Sequence, residues 1–147
     1  MIQKYGTAQW SGGLRDGQGT LSTETGSLSN QSYSFAKRFG DEKGTNPEEL
    51  IGAAHASCFA MQMSALIEQA GTKARSIEAK STVSLQAGAG GADITRVHVD
   101  VVADVPDLSP DQFQEIAERT KTSCPVSKVL AGADITMSAR LGTGATV

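Results

Sequence analysis

The sequence predicts an α+β fold in which antiparallel sheets surround one long central helix. Three observations predict it. The stretch 47–70 is apolar and has helix boundary signals at both ends, alternating strand patterns occur before and after it, and short Gly-rich turns separate those strands. The predicted element order is βββ-α-ββ-α-α-β. At 147 residues the chain is long enough to bury a core, so we expect a single domain over 1–147.

The residues before the central helix contain three strand-like segments. Apolar and polar residues alternate in 5–10, the segment 19–25 is rich in Thr and Ser, and 32–39 alternates again. Turn-forming residues fill 11–19 and 26–31. Because these connections are short, we predict an antiparallel meander.

The central helix has clear start and stop signals. Thr45 and Asn46 are candidate capping residues before Pro47, and Gly71 follows the last helical residue. Acidic residues in the first turn suit the positive end of the helix dipole. At about 1.5 Å per residue the predicted helix, 47–70, is roughly 36 Å long.

This helix is apolar on nearly every side, and between 50 and 67 only His55 can carry a formal charge at neutral pH. Such a helix must be enclosed on most of its surface. One stripe contains only small residues at i, i+4 spacing: Gly52, Ala56, Ala60 and Ser64. We weigh two interpretations equally: the stripe packs against a second copy of the chain, or the helix is wrapped by its own sheet.

The chain after Gly71 first returns to strands. The segments 76–86 and 94–105 alternate, and the Gly-rich stretch 87–93 is predicted to be the loop between them. One face of the second strand is apolar, at Val97, Val99, Val101 and Ala103. This pattern predicts a hairpin with one buried face.

Two helices and a last strand complete the predicted order. Ser109 and Pro110 open a helix that runs to 120, with an apolar stripe of Phe113, Ile116 and Ala117. A short helix at 126–131 and a strand at 134–141 follow, and 142–147 is expected to be a frayed tail.

Composition excludes several classes of protein. A net charge of −3 and a pI near 5.3 argue against nucleic acid as the main partner, which requires a clustered basic face. No uninterrupted apolar run is long enough for a membrane span, and the first ten residues lack the apolar core of a signal peptide. We therefore expect a cytoplasmic protein. Residues 55, 58, 98 and 124, which are the two histidines and two cysteines, lack zinc-site spacing, so we predict no metal.

The two cysteines occupy different predicted environments. Cys58 lies in the middle of the central helix, where a buried thiol is inert unless a cation lies nearby. His55, Arg38 and Arg15 are the candidates for that cation. Cys124 lies in a helix-cap region, where we expect its thiol to be near the surface. The residues alone leave two interpretations open, a pair of core cysteines and a redox pair.

Three motifs carry a family resemblance. They are GTNPEELIGAAHASCFAMQMS at 44–64, FAKRF at 35–39 and TSCPVSKVL at 122–130. Together they closely resemble the OsmC branch of the OsmC/Ohr family, the osmotically inducible protein C and organic hydroperoxide resistance proteins. The resemblance extends over essentially the whole chain.

The resemblance implies a thiol-dependent peroxidase that reduces organic hydroperoxides and hydrogen peroxide. By analogy Cys58 is the peroxidatic cysteine, which becomes a sulfenic acid, and Cys124 resolves it as an intramolecular disulfide. An arginine, matched best by Arg38, holds Cys58 as thiolate, and Glu48 orients that arginine. Arg15 is the alternative, because the Ohr branch carries its arginine in the first Gly-rich turn.

The resemblance also implies an intertwined homodimer, an external dithiol as reductant (a dihydrolipoyl protein or a small thiol), and no metal, flavin or haem. An apolar pocket for the alkyl group is predicted from Phe35, Phe39, Phe59, Met61 and His55. For His55 we favour a buried, hydrogen-bonded imidazole over catalysis. The alternative function is a non-enzymatic thiol sensor or a small-molecule binding protein.

Overall fold

The structure is a computed structural model that describes residues 1–143. Residues 144–147 of the predicted terminal segment 142–147 lie outside the described residues. The chain forms two compact units, unit 1 (Met1–Leu50) and unit 2 (Ile51–Val147). The single domain over 1–147 stays a prediction.

Unit 1 contains a three-stranded antiparallel sheet. Its strands are β1 (Gly6–Ser11), β2 (Gln18–Thr23) and β3 (Gln31–Ser34), paired in the order β1-β2-β3. The predicted meander is confirmed.

The prediction of one strand over 32–39 is wrong in its second half, where Phe35–Phe39 forms a short helix, α1. The Ser34 hydroxyl accepts a hydrogen bond from the Lys37 backbone N–H at 3.2 Å and so caps this helix. The rings of Phe35 and Phe39, one turn apart, lie 4.7 Å from each other. The cap and the i, i+4 aromatic pair together stabilise a helical turn in a segment that also fits a strand pattern.

Helix α2 (Pro47–Gln69) is the predicted central helix. The Asn46 side-chain oxygen accepts from the Glu49 backbone N–H at 2.9 Å, and Gly71 follows the helix with φ of +90°. By length and composition alone α2 could cross a membrane, but a core helix passes the same test. Its inward residues contribute to the unit 2 core: Phe59, Met63, Leu66 and Ile67.

Unit 2 contains a mixed sheet in the order β4-β5-β6. Strands β4 (Ser76–Gly88) and β5 (Gly91–Asp104) are antiparallel and extend through most of the predicted loop, leaving a two-residue turn. Strand β6 (Asp134–Leu141) pairs parallel to β5. This is the one parallel pair among those of the described strands, so the pairing is mainly antiparallel, as predicted.

Two helices connect β5 to β6, as a parallel pair requires. Helix α3 (Pro110–Ser123) starts with a capping box between Ser109 and Gln112 and runs three residues beyond its predicted end. Helix α4 (Pro125–Val129) follows after one residue. The predicted inward faces of β5 and α3 are both buried in the core.

Candidate active site

The sulfur atoms of Cys58 and Cys124 lie 3.2 Å apart within unit 2, and both are free thiols. Cys58 is on α2 and is partly exposed, whereas the exposed fraction of Cys124 is 0%. The prediction that Cys124 lies near the surface is therefore wrong. Because α3 continues to Ser123 and α4 begins at Pro125, Cys124 lies at the corner between two helices and packs into the core.

The backbone of Cys124 is fixed from both sides. Its N–H donates to the Thr120 carbonyl at 2.9 Å, and its carbonyl accepts from the Lys128 N–H at 3.1 Å. Beside the pair, the Gln62 amide donates to the Ser123 hydroxyl at 3.0 Å and joins α2 to the end of α3. The two sulfurs are thus held together by helix packing and hydrogen bonds, although the cysteines are far apart in the sequence.

The surroundings shift the pKa values of the two thiols in opposite directions. Burial raises the pKa of the Cys58 thiol, and the Cys124 thiol adds to that rise, while the Val126 backbone N–H opposes it. Burial also acts to raise the pKa of Cys124, but hydrogen bonds from the Ser127 backbone, the Cys58 thiol and the Ser127 hydroxyl outweigh it, so the pKa of Cys124 is lowered. Within unit 2, negative charge is therefore favoured on Cys124.

His55 does not supply a positive charge to Cys58. Its Nδ1 lies 2.9 Å from the Ser81 hydroxyl and its Nε2 lies 2.8 Å from the Ser127 hydroxyl. The ring is fully buried, and this burial lowers the pKa of His55, so the imidazole is neutral at pH 7. This is the hydrogen-bonded, buried histidine that we favoured from the sequence.

Gly52 brings α2 close to β4 at this point. A Cβ atom on Gly52 would lie 2.7 Å from the carbonyl oxygen of Ser81, a distance that side chains do not tolerate. At Gly52, the first residue of the small-residue stripe, α2 therefore packs on its own sheet, as in the second of the two interpretations. The close approach places His55 within hydrogen-bond distance of Ser81.

In unit 1, Arg38 and Glu48 form a close ion pair. The Arg38 Nη2 lies 2.8 Å from Oε1 of Glu48, and its Nε lies 3.1 Å from the same oxygen. The guanidinium also lies over the Phe39 ring, 5.2 Å from its centroid. Glu48 is mostly buried, whereas Arg38 is 37% exposed, so the carboxylate fixes the arginine and leaves part of it accessible.

Arg15, the alternative arginine, has a different setting within unit 1. It lies in the turn between β1 and β2, and its guanidinium carbon is 5.0 Å from the centroid of the Phe35 ring. It lines a polar cavity of about 360 Å³ that Lys37 and Glu42 also line. Both candidate arginines therefore stack on the phenylalanines of α1.

Unit 1 has an apolar cavity of about 300 Å³ whose lining includes Phe35 and Phe39, two of the five residues predicted for the alkyl pocket. Its lining comprises Trp10, Leu14, Tyr33, Ser34, Phe35, Arg38, Phe39 and Pro47. The other three predicted lining residues lie elsewhere. Phe59 is in the core of unit 2, Met61 is 76% exposed on α2, and His55 is buried.

Trp10 and Tyr33 line this cavity but were not predicted to do so, although the strand register contains a signal for them. Trp10 and Tyr33 both pair with Gly19, one from each side. Because Gly19 has no side chain, the two rings meet above it with centroids 5.4 Å apart. A Gly in the middle strand of a meander, flanked by aromatic residues, indicates such a contact.

The fold and the thiol pair define a class: α+β proteins whose long helix carries a cysteine close to a second cysteine. The sequence model of OsmC-like proteins matches residues 40–138. The chain is 45% identical over 140 residues to peroxiredoxin OsmC of Escherichia coli K12, an alignment that covers 95% of this chain and 97% of the relative. The chain therefore belongs to the OsmC-like family, and the family resemblance seen in the motifs is confirmed.

More distant relatives agree with this membership. The organic hydroperoxide resistance protein OhrB of Bacillus subtilis is 30% identical over 98 residues, which cover 66% of this chain and 69% of OhrB. The crystal structure of an OhrB of Bacillus subtilis matches with a TM-score of 0.68 and 23% identity, over 92% of this chain and 98% of that one. An OsmC-like protein of Vibrio cholerae matches with a TM-score of 0.73 and 14% identity, over 95% and 100% of the two chains. These two structures support the fold.

Proposed function

We propose that the protein is a thiol-dependent peroxidase that reduces organic hydroperoxides and also hydrogen peroxide. The observation that carries the proposal is the 3.2 Å separation between the sulfurs of Cys58 and Cys124. A disulfide requires about 2.05 Å, so the sulfurs have to approach by only about 1 Å. The family membership agrees with this, because relatives include a peroxiredoxin and an organic hydroperoxide resistance protein.

Accessibility supports the proposed order in which the two thiols react. Cys58 is partly exposed and Cys124 is not exposed, so the peroxide reaches Cys58. The thiolate of Cys58 attacks the distal peroxide oxygen, an S–O bond forms, the O–O bond breaks, and the alkoxide leaves and is protonated to the alcohol. Cys124 then displaces hydroxide from the sulfenic acid, which gives a disulfide and water.

Cys58 requires a cation to be ionised, because its surroundings in unit 2 raise its pKa. We assign this role to Arg38, with Glu48 orienting the guanidinium through their ion pair. Two features favour Arg38 over Arg15. Arg38 has a carboxylate that fixes its position, and it lines the apolar cavity of unit 1 beside Phe35 and Phe39. This cavity is the proposed site for the alkyl group of the hydroperoxide.

The active form is a homodimer. In unit 1 only Gly17 and Gly19 are buried, although three strands there form a sheet. A sheet of this size needs a packed apolar face to be stable, and the exposed apolar residues of unit 1 include Tyr5, Trp10, Leu14 and Phe39. Met61, in the middle of α2, is also 76% exposed. A second copy of the chain would cover such surfaces.

An external dithiol, either a dihydrolipoyl protein or a small thiol, restores the reduced pair, and the protein acts in the cytoplasm. A chain with two cysteines suits a reducing compartment, where a disulfide forms only as a transient catalytic state.

Turnover tests the proposal and separates it from stoichiometric sensing. The reduced protein is mixed with a large excess of cumene hydroperoxide and dithiothreitol, and the remaining peroxide is measured. We expect consumption of many equivalents by the wild type and none above background by Cys58→Ser. Consumption that stops at one equivalent per chain would contradict the peroxidase and favour a sensor.

A further inference from the structure

We propose that a hydrogen-bond relay from His55 through Ser127 prepares the sulfur of Cys124 for the resolving step. His55 and Ser127 are thus positioning residues, because they act on the reaction through Cys124. The inference rests on the proposed function, in which Cys124 attacks the oxidised Cys58.

The relay begins with a histidine held at both ends. His55 is fully buried, with its two ring nitrogens 2.9 Å from the Ser81 hydroxyl and 2.8 Å from the Ser127 hydroxyl. Two partners on opposite sides of the ring fix its orientation. Ser81 belongs to β4 and Ser127 to α4, so the imidazole bridges the sheet to the helix that follows Cys124.

Ser127 connects the histidine to the sulfur. Cys124 is the N-cap of α4 and Ser127 is the third residue of that helix, the position from which a side chain reaches back to the capping residue. The Ser127 hydroxyl is only 3% exposed, and it is one of the groups that lower the pKa of the Cys124 thiol. In the proposed relay it donates to that sulfur, and water does not reach it readily.

One arrangement of hydrogens ends with a donor at the sulfur. The Ser81 hydroxyl donates to Nδ1 of His55, Nε2–H donates to the Ser127 oxygen, and the Ser127 hydroxyl donates to Sγ of Cys124. A buried neutral imidazole has the one donor and the one acceptor that this chain requires. Such a donor stabilises Cys124 as a thiolate.

The relay acts on the second chemical step. The Cys124 thiolate attacks the sulfur of the Cys58 sulfenic acid, the S–S bond forms, the S–O bond breaks, and the departing hydroxide takes a proton to become water. The hydroperoxide that oxidised Cys58 is the only oxidant required. Loss of the Ser127 donor lowers the thiolate fraction of Cys124 and slows this attack, whereas Cys58 is still oxidised.

Rapid-quench mass spectrometry separates the two steps. Reduced Ser127→Ala is mixed with one equivalent of cumene hydroperoxide and quenched at intervals with dimedone, which traps the sulfenic acid. Because a hydrogen bond to a charged group is lost, we expect disulfide formation to slow by about tenfold and trapped Cys58 to accumulate. Ser138→Ala is the matched control. Its exposed hydroxyl on β6 lies 3.3 Å from Nε2 of His98, and the variant should resolve at the wild-type rate.

Substitutions of His55 test whether it acts through Ser127. The amide of His55→Gln can donate from near the Nε2 position, whereas that of His55→Asn is too short to reach Ser127. We expect His55→Asn to slow disulfide formation as Ser127→Ala does, and His55→Gln to restore most of the rate. In the double variant with Ser127→Ala, His55→Asn should add nothing further, whereas a purely structural role would make the two effects additive.

Disulfide formation at the wild-type rate in Ser127→Ala, with Cys58 oxidised normally, would overturn the relay and leave the proposed function intact. If the wild type forms no sulfenic acid at Cys58, the proposed function fails, and the relay fails with it. Circular dichroism spectra of all variants establish that the compared proteins are folded.

Discussion

The carboxylate of Glu48 accepts hydrogen bonds from both Nε and Nη2 of Arg38, so one edge of the guanidinium group is fixed. Lysine cannot reproduce this contact, because its ammonium is a single point charge without a planar fork. The side chain beneath the arginine is Phe39, which supports the guanidinium by a cation–π contact. The geometry of this ion pair therefore makes the choice of arginine testable.

Arg38→Lys should slow oxidation of Cys58 by at least tenfold, because the positive charge is no longer fixed at its position. Stopped-flow or rapid-quench measurement of thiol loss after addition of cumene hydroperoxide gives the rate. Arg15→Lys is the matched control and should stay within about twofold of the wild type, because the charge is kept and the salt bridges of the described residues do not include Arg15. The reverse ranking of the two variants would assign the role to Arg15.

Gly52→Ala should destabilise the protein by about 1–3 kcal/mol, because the added Cβ would lie 2.7 Å from the Ser81 carbonyl oxygen and force α2 away from β4. Unfolding in urea gives the free energy. Gly132→Ala is the control, since a Cβ there meets nothing within 4 Å. Equal stability of the two variants would contradict the close packing at Gly52.

The free energy of unfolding should decrease in acid because of His55. Burial holds its pKa in the folded state below the ordinary value near 6.5, so the unfolded chain binds more protons as the pH falls. The contribution of His55 to the free energy of unfolding is fully present above pH about 6.5. It is lost as the pH falls towards the folded-state pKa, and the free energy then changes by at most about 1.4 kcal/mol per pH unit.

Urea unfolding of the wild type and of His55→Gln between neutral and mildly acidic pH measures this contribution. The stability curve of His55→Gln should be flatter, because glutamine does not titrate. Parallel curves for the wild type and His55→Gln would show that burial does not depress the pKa of His55.

Met61→Lys should weaken the proposed homodimer, because a charge would replace an apolar side chain that is 76% exposed in the single chain and lies in the middle of α2. Sedimentation velocity over a range of protein concentrations gives the dissociation constant. Gln86→Lys, which adds the same charge at an exposed polar residue of β4, is the control. A wild type that sediments as a monomer at all concentrations would contradict the dimer itself.

The sequence predicted the elements whose signals are local. The caps at Asn46 and Ser109, the stop at Gly71 and the alternation of β5 are all found in the structure. The segment 35–39 was predicted wrongly because FAKRF fits both periods, with its phenylalanines on one face of a strand or of a helix. The Ser34 cap and the Phe35–Phe39 contact favour the helix, and a cap contributes only about 1 kcal/mol.

Features that depend on tertiary packing were not predictable from the residues alone. The burial of Cys124 follows from the exact length of α3, which runs beyond 120 to the residue before the cysteine. The proximity of the two sulfurs depends on how α2 packs beside that corner, and sequence separation contains no such information. The family resemblance, and not the spacing, paired the two cysteines.

The central claim is that Cys58 and Cys124 form one redox unit, and its most direct test is the product of a single oxidation. The reduced protein is treated with one equivalent of cumene hydroperoxide, and proteolytic peptides are analysed by mass spectrometry without reduction. We predict a peptide pair joined by a Cys58–Cys124 disulfide within one chain, and in Cys124→Ser a sulfenic acid that remains on Cys58. Unmodified thiols at both positions, or disulfides only between chains, would contradict the account.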